Sequence, residues 1–164
     1  MIDTSLTAKL QGINFLRGID PVHLEQIADI SEICEYDAQE ILFHEGEVAD
    51  YVYLVVTGKI VLELCPSTIY RKNLMSVGPG EMLGWSAFVE QCNYASTGIV
   101  VVPTQLIRME GKRLRAICDN DPEFGYDFMH RIMRGLAKRL KTTWTQLADV
   151  YLPAHLPMKA GFDE

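Results

Sequence analysis

GPGEMLGWSAFVEQCNYAST, residues 78–97, is the stretch that decides the fold class of this 164-residue chain. Gly78-Pro79-Gly80 predicts a turn, because proline fixes φ and glycine tolerates a positive φ. Gly84 then precedes a short helix predicted over residues 86–91, and the β-branched run of residues 99–102 follows as a strand. A glycine-marked loop that opens a short helix within a β-rich domain presents free backbone N–H groups to an anion.

The sequence on both sides of this stretch alternates with a period of two residues, which is typical of short strands separated by turns. The predicted strands cover residues 33–36, 40–44, 51–57, 59–65, 70–77, 95–102 and 105–110. Turns are predicted at residues 37–38, 45–47, 57–59, 66–67 and 78–80. The series predicts a mainly β protein with flanking helices, built as an antiparallel sandwich, barrel or jelly roll.

Helices are predicted before and after this β-body. The first covers residues 4–16, with Leu6, Leu10 and Ile13 at helical spacing. The second begins at Asp20-Pro21, an N-cap followed by proline in the first turn, and runs to about residue 30. Its predicted buried side chains are Val22, Leu24, Ile27 and Ala28. A third helix is predicted from residue 111 to about 120, and a fourth from 121–122 to about 151.

The long fourth helix carries two predicted apolar faces. Phe124, Phe128 and Ile132 are placed to pack on the β-body. The second face follows a 4–3 spacing, the a/d pattern of a two-helix coiled coil, and predicts a homodimer. Its members are Met129, Met133, Leu136, Leu140, Thr143, Leu147 and Val150. The alternative is one wide buried stripe in a monomer.

Composition and charge exclude several classes of function. Apolar residues make up 48% of the chain and no apolar run reaches membrane-spanning length, so we expect one cytoplasmic domain without a membrane partner. Residues 1–100 carry five Lys/Arg against fourteen Asp/Glu, a net charge of −9, whereas residues 101–164 carry ten against eight, a net charge of +2. The acidic body argues against nucleic acid as a partner, because neutralised phosphates supply most of that affinity.

The remaining polar groups show no catalytic pattern. The basic residues of the long helix are interpreted as a solvated face; they are Arg131, Arg134, Lys138, Arg139 and Lys141. Histidine and cysteine spacing predicts no metal site, and free buried thiols are expected at Cys34, Cys65, Cys92 and Cys118. The sequence has no nucleophile elbow, phosphate loop or dinucleotide fingerprint, so enzymatic activity is not expected.

The order of these elements resembles the cyclic nucleotide-binding domain, the sensor module of catabolite activator and FNR-like regulators, protein kinase A regulatory subunits and gated channels. The resemblance covers residues 13–152 and rests on residues 15–19 (FLRGI), on residues 41–64 with Glu45-Gly46-Glu47 and Gly58, and on residues 137–140 (AKRL). It implies a β-roll at about 33–110 between helices at about 4–30 and 111–152. The domain is therefore placed at residues 1–152, followed by a tail at 153–164.

The resemblance also implies a ligand site. In cAMP-binding members, the glycine at position 84 is followed by a glutamate for the ribose, and an arginine ten residues after that glycine pairs with the cyclic phosphate. Trp85 and Tyr94 stand at these positions here, and no Lys or Arg lies between Lys72 and Arg108. Losing the arginine removes a charge-assisted contact worth about 1.5–3 kcal/mol. We therefore expect no high-affinity cAMP binding in the family's usual mode.

The candidate ligand contacts lie in two places. Those in the loop are Gly84, Trp85, Ser86, Ala87, Tyr94, Ala95 and Ser96, and those on the long helix are Thr143 and Trp144. Gly84-Trp85-Ser86-Ala87 resembles a branch of bacterial members whose pocket departs from the cAMP pattern. Trp85 and Trp144 are expected either to stack on a flat ligand or to fill the cavity themselves.

Two functions are compatible with these residues. The first is a regulatory sensor that binds a cyclic nucleotide or another small anion between the β-roll and the long helix, for an unknown effector protein to read. The second is a ligand-free dimerisation or protein-interaction module whose pocket is filled by Trp85 and Tyr94. A transcription factor is a third possibility. It requires a longer protein, because no helix-turn-helix domain follows the long helix in this sequence.

Overall fold

A six-stranded antiparallel sheet forms the body of the computed structural model, which describes residues 4–67, 70–89 and 91–151 and the side chains of 6–64, 72–89 and 91–148. The strands are β1 Ser31–Tyr36, β2 Ile41–Phe43, β3 Tyr51–Ser67, β4 Tyr70–Val77, β5 Met82–Leu83 and β6 Thr97–Glu110. Hydrogen bonds connect them in the order β1-β6-β3-β4, with β2 paired to β6 and β5 paired to β3. The predicted fold class is confirmed.

The two longest strands each join segments that the sequence analysis separates. β3 continues through the turn predicted at residues 57–59, where Gly58 has a φ of +97° and the register with β6 shifts. The Lys59 N–H donates to the side-chain oxygen of Thr104 at 3.1 Å, which satisfies a backbone donor at this irregularity. The predicted turn at Gly58 is therefore wrong, and the glycine marks a bulge-like irregularity within one strand.

The helices follow the predicted order. They are α1 Thr4–Gly12, α2 Pro21–Asp29, α3 Gly111–Asn120 and α4 Pro122–Tyr151, with short 3-10 helices at Asn14–Leu16 and Trp85–Phe88. Asp20 caps α2 as predicted, because its carboxylate accepts the Val22 N–H at 2.9 Å. Leu24, Ile27 and Ala28 are buried, but Val22 is 60% exposed, so its predicted burial is wrong. Val22 lies two positions before Leu24, about 200° around the helix, so it is on the side of α2 opposite the buried face.

An aromatic cluster around Phe128 fixes α4 to the rest of the protein. The Phe128 ring is fully buried and lies 5.5 Å from Phe15, 5.6 Å from Phe124 and 5.8 Å from Phe88, between ring centroids. Ile132 continues the same face into the core. The predicted burial of Phe124, Phe128 and Ile132 is confirmed, and the ring partners of Phe128 outside α4 lie on the two 3-10 helices.

The carboxylate of Asp121 caps the beginning of α4 and pairs with His23 of α2. Asp121 accepts the N–H groups of Glu123 and Phe124 at 3.1 Å each, and its other oxygen lies 3.0 Å from His23 Nε2. The backbone bond from Phe124 and the contact with His23 lower the pKa of Asp121. His23 also stacks on Phe124 at 4.3 Å, so α2 fixes the point where α4 begins.

Three cysteines have described side chains, and all three are free thiols. Cys118 is buried, and its burial raises the pKa of that thiol to about 12. Cys34 and Cys92 are half-buried, so the expectation of buried thiols holds fully for Cys118 alone among them. The fourth, Cys65, lies outside the described side chains, as does the predicted tail at 153–164.

Two glycines of α4 provide a matched test of how it packs. A Cβ at the buried Gly125 would lie 2.6 Å from the carbonyl oxygen of Cys118 on α3, whereas a Cβ at the exposed Gly135 would meet nothing within 4 Å. We expect Gly125→Ala to lower the free energy of unfolding by about 1–3 kcal/mol. Gly135→Ala should raise it by about 0.5–1 kcal/mol. Urea denaturation measures both, and a Gly125→Ala variant as stable as the parent would contradict this packing.

Candidate functional site

The loop of residues 84–96 holds most of the predicted ligand contacts. Gly84 has a φ of +73°, and a Cβ there would lie 2.6 Å from the Tyr51 carbonyl oxygen, so this position requires glycine. In the 3-10 helix that follows, the Ala87 N–H donates to the Gly84 carbonyl at 3.0 Å. Ser86 and Ala87 are both buried. The Ala87 N–H is therefore used within the turn, although the sequence analysis expects this region to offer free donors to an anion.

Tyr94 occupies the centre of this loop. Its side chain is only 5% exposed, and its ring stacks on Phe43 with the centroids 4.0 Å apart. The phenol donates to the Tyr51 carbonyl at 2.9 Å and accepts the Tyr51 N–H at 3.1 Å. Burial raises the pKa of Tyr94, so the phenol is neutral at physiological pH. The residue ten positions after Gly84 is thus an uncharged part of the core.

A cavity of about 690 Å³, which we call the α4 cavity, lies beside this loop between α4 and the sheet. Its volume is within the usual range for small-molecule sites, about 300–1,000 Å³. The walls away from α4 are formed by Asn14, Phe15, Met75, Ser76, Gly80, Glu81, Met82 and Trp85. Helix α4 contributes Arg131, Ile132, Arg134, Gly135, Leu136, Lys138, Arg139, Thr142 and Gln146.

The charges that line the α4 cavity are mostly positive. Arg139 is half-buried, and its guanidinium donates to the carbonyl oxygen of Met82. Burial lowers the pKa of Arg139 and the nearby Glu81 carboxylate raises it, but a guanidinium remains charged at any physiological pH. The Lys138 ammonium lies 3.3 Å from Glu81. Four cations and one carboxylate therefore line this cavity in a chain whose net charge is −7.

Sequence comparison places this architecture in a known family. Residues 33–121, more than half of the chain, match the family profile of the cyclic nucleotide-binding domain. The chain belongs to the cyclic nucleotide-binding domain family. The domain is 24% identical over 136 residues to the CRP-like cAMP-activated global transcriptional regulator of Mycobacterium tuberculosis (strain ATCC 25618 / H37Rv). That match covers 82% of this chain and 58% of the regulator, so the chain spans less than two thirds of that relative's length.

Solved structures show the same fold. A candidate cyclic nucleotide-binding protein from Geobacter metallireducens GS-15 superposes with a TM-score of 0.73 at 25% identity, over 85% of this chain and 99% of that one. A cyclic nucleotide-binding domain from Methylobacillus flagellatus KT superposes with a TM-score of 0.75 at 15% identity, over 92% and 85% of the two chains. The family resemblance and the β-roll predicted from the sequence are both confirmed.

The residues predicted to contact a ligand do not all lie around one cavity. Trp85 is half-buried and lines the α4 cavity, whereas Gly84, Ser86, Ala87, Tyr94, Ala95 and Ser96 are not among the described residues that form its walls. Thr143 is half-buried with its hydroxyl bonded to the Arg139 carbonyl at 3.1 Å, and Trp144 is 61% exposed on the outer side of α4. Thr142 and Gln146 line the cavity in their place. The ligand roles of all the predicted contacts stay predictions.

The cavity residues of α4 were not predicted from the sequence. Its basic residues are predicted to form a solvated face, and this is correct for the exposed Arg134, Lys138 and Lys141. Arg131 and Arg139 are half-buried and line the α4 cavity instead. The sequence does indicate which side of α4 faces the cavity. The buried positions 124, 128 and 132 continue at helical spacing through positions 135, 139, 142 and 146. Among the residues that the structure describes, no group of three or more His, Cys, Asp or Glu could hold a metal ion. No described helix is long and apolar enough to span a membrane.

The outer side of α4 exposes much of the predicted dimer seam. The side chains of Met129, Met133, Leu140 and Leu147 are exposed. Leu136 packs against the core from a half-buried position, and Thr143 is half-buried as well. Val150 lies outside the described side chains. The exposed members lie along one side of the helix, since residues four and seven apart are neighbours on a helix surface, and Leu136 lies where this side meets the α4 cavity.

Removing the Tyr94 hydroxyl tests whether this ring is a fixed part of the core. Tyr94→Phe keeps the ring but leaves the Tyr51 N–H and carbonyl without their shared partner, so we expect a loss of about 1–3 kcal/mol in the free energy of unfolding. Tyr126→Phe is the control, because Tyr126 is exposed on α4, and it should change stability by less than about 0.5 kcal/mol. Equal stability of the two variants in urea denaturation would show that Tyr94 is not anchored as described.

Proposed function

We propose that this domain is a regulatory, non-enzymatic sensor that binds a small molecule in the α4 cavity. The observation that carries the proposal is the position of the cavity, which lies between the long helix on one side and β4, β5 and Trp85 on the other. A ligand between these elements contacts both at once. Such a ligand can shift the position of α4 if it binds one arrangement more tightly than another.

The burial of Tyr94 supports a binding site for the ligand that differs from the site expected for cAMP. The Mycobacterium relative is described as cAMP-activated. In this chain a phosphate in the 84–96 loop would face the neutral, buried Tyr94 ring in place of an arginine. Burying an anion without a counter-charge is unfavourable. We infer that cAMP is bound weakly or not at all at that loop, and that the natural ligand occupies the neighbouring cavity.

Two hydrogen bonds and one ion pair connect α4 to the residues across the cavity, and they support a helix whose position depends on what occupies the cavity. Arg139 bonds to the Met82 carbonyl, Lys138 pairs with Glu81, and the Gln146 amide donates to the Leu74 carbonyl at 3.4 Å. All three α4 residues also line the cavity. A bound molecule therefore meets the groups that connect the second half of α4 to the sheet.

A thermal-shift panel tests the sensor function. The panel holds cyclic nucleotides, cyclic dinucleotides, nucleoside monophosphates and the uncharged nucleosides. We expect at least one anionic member to raise the melting temperature progressively with concentration, since a ligand at 100 times its Kd stabilises by about 2.7 kcal/mol. Calorimetry with cAMP should show no tight, stoichiometric binding. Silence across the whole panel would contradict the sensor function, and tight cAMP binding would contradict the inference that the loop of residues 84–96 does not hold cAMP.

The buried Tyr94 and the exposed apolar side of α4 favour a second function. Tyr94 fills the loop interior with its own side chain, and an exposed apolar face runs along the outer side of α4. These observations support a ligand-free dimerisation or protein-interaction module. The two functions share a homodimer through Met129, Met133, Leu140 and Leu147, and they differ in whether the α4 cavity takes a ligand.

Charged substitutions on the exposed face test the homodimer. Met133→Glu with Leu140→Glu should convert the dimer to a monomer, because four like charges would then face one another across the seam. Both positions are exposed in the single chain, so the fold should be kept. Lys141→Gln with Thr145→Glu is the control, since it makes the same change in net charge at exposed positions outside the seam. Light scattering gives the mass, and a double mutant with the parent's mass would refute the assignment.

A further inference from the structure

We propose that the α4 cavity is an anion site whose positive charge comes from the long helix, and that its occupant joins an anionic group to a flat apolar part. The proposal rests on the sensor function and deepens it by naming the ligand class and the residues that bind it. It places the anion away from the 84–96 loop. The cations of this site are Arg131, Arg134, Lys138 and Arg139.

The charge of Arg139 and Arg134 is the first line of support. The half-buried Arg139 guanidinium donates to the Met82 carbonyl, which is a neutral acceptor. Arg134 makes no hydrogen bond or ion pair with any residue whose side chain is described. Lys138 pairs with Glu81, and Arg131 pairs with Asp127 at 2.7 Å. Neither guanidinium therefore forms an ion pair with a described side chain, although the Glu81 carboxylate is close enough to act on Arg139. Guanidinium binds carboxylate, sulfonate and phosphate through paired hydrogen bonds.

The apolar part of the cavity is the second line of support. Phe15, Met82, Trp85 and Leu136 line it alongside the cations. The half-buried Trp85 ring offers a flat surface for stacking, and a volume of about 690 Å³ accommodates a molecule of nucleotide size. An inorganic anion alone would leave this apolar wall uncovered. The combination points to an aromatic or heterocyclic anion.

Ligand binding at this site would also change the contacts that α4 makes with the sheet. The donors that an anion would take, on Arg139 and Lys138, are the same donors that connect α4 to Met82 and Glu81. Binding therefore replaces hydrogen bonds from Arg139 and Lys138 to Met82 and Glu81 with hydrogen bonds to the ligand. The aromatic cluster at Phe128 lies outside this exchange and keeps the first half of α4 in place. We expect the ligand to loosen the second half of the helix selectively.

A pair of fluorescent probes tests the site without knowledge of the natural ligand. Anilinonaphthalene sulfonate is an aromatic anion, and phenylnaphthylamine is its uncharged analogue. We expect the sulfonate to bind the parent protein more tightly than the amine. Arg134→Gln with Arg139→Gln should raise the Kd of the sulfonate at least about tenfold and leave that of the amine unchanged. Trp85→Ala should weaken both probes.

The matched control removes two cations from elsewhere on the surface. Arg113→Gln with Lys141→Gln changes the net charge by the same amount at exposed positions that do not line the cavity, so it should leave the Kd of the sulfonate within about twofold. If loss of the Arg139 link unfolds the double mutant, we expect Arg134→Gln alone to weaken the sulfonate, because Arg134 is exposed and forms no hydrogen bond or ion pair with a described side chain. Melting curves show which variant is folded.

The outcomes separate this inference from the sensor function. Equal Kd values for sulfonate and amine, or a sulfonate Kd that the cavity arginines do not affect, would overturn the anion site. If a panel ligand stabilises the double mutant as well as it does the parent, the sensor stands and the anion site fails. If the sulfonate depends on Arg134 and Arg139 while the nucleotide panel is silent, the anion site stands and the sensor function fails.

Discussion

The burial of Tyr94 is the constraint on which the proposed function of this domain depends. Its ring stacks on Phe43 and its hydroxyl is bonded to both backbone groups of Tyr51, so the loop of residues 84–96 is closed around a neutral side chain. A buried anion requires a counter-charge at close range. Because the loop offers none, the charge that a ligand would need has to come from another element, and α4 carries it.

Helix α4 has two sides with different surroundings. Its inner side begins as an apolar stripe at Phe124, Phe128 and Ile132 and ends as a polar, cationic wall around Arg139. Its outer side presents methionine and leucine side chains to solvent. One helix thus connects the β-body, the cavity and the proposed partner surface, so that a change at the cavity can reach the partner through a single element.

Local signals in the sequence were sufficient for the architecture. Asp20-Pro21 and Asp121-Pro122 mark the helix beginnings correctly, since capping chemistry depends on neighbouring residues alone. The turn at Gly58 was wrong, because a glycine in a strand irregularity and a glycine in a hairpin give the same local pattern. The partial burial of Arg139 was not predicted, although the stripe of residues 124, 128 and 132 continues through it at helical spacing, because its charge led to its interpretation as part of a solvated face. The loop contacts also depend on packing, as the buried Tyr94 shows.

The most direct measurement is a crystal structure of the protein grown with anilinonaphthalene sulfonate. The account predicts sulfonate density beside the Arg134 and Arg139 guanidinium groups, aromatic density against Trp85 and Met82, and Tyr94 still stacked on Phe43. A sulfonate in the loop of residues 84–96, with Tyr94 displaced from Phe43, would contradict the account.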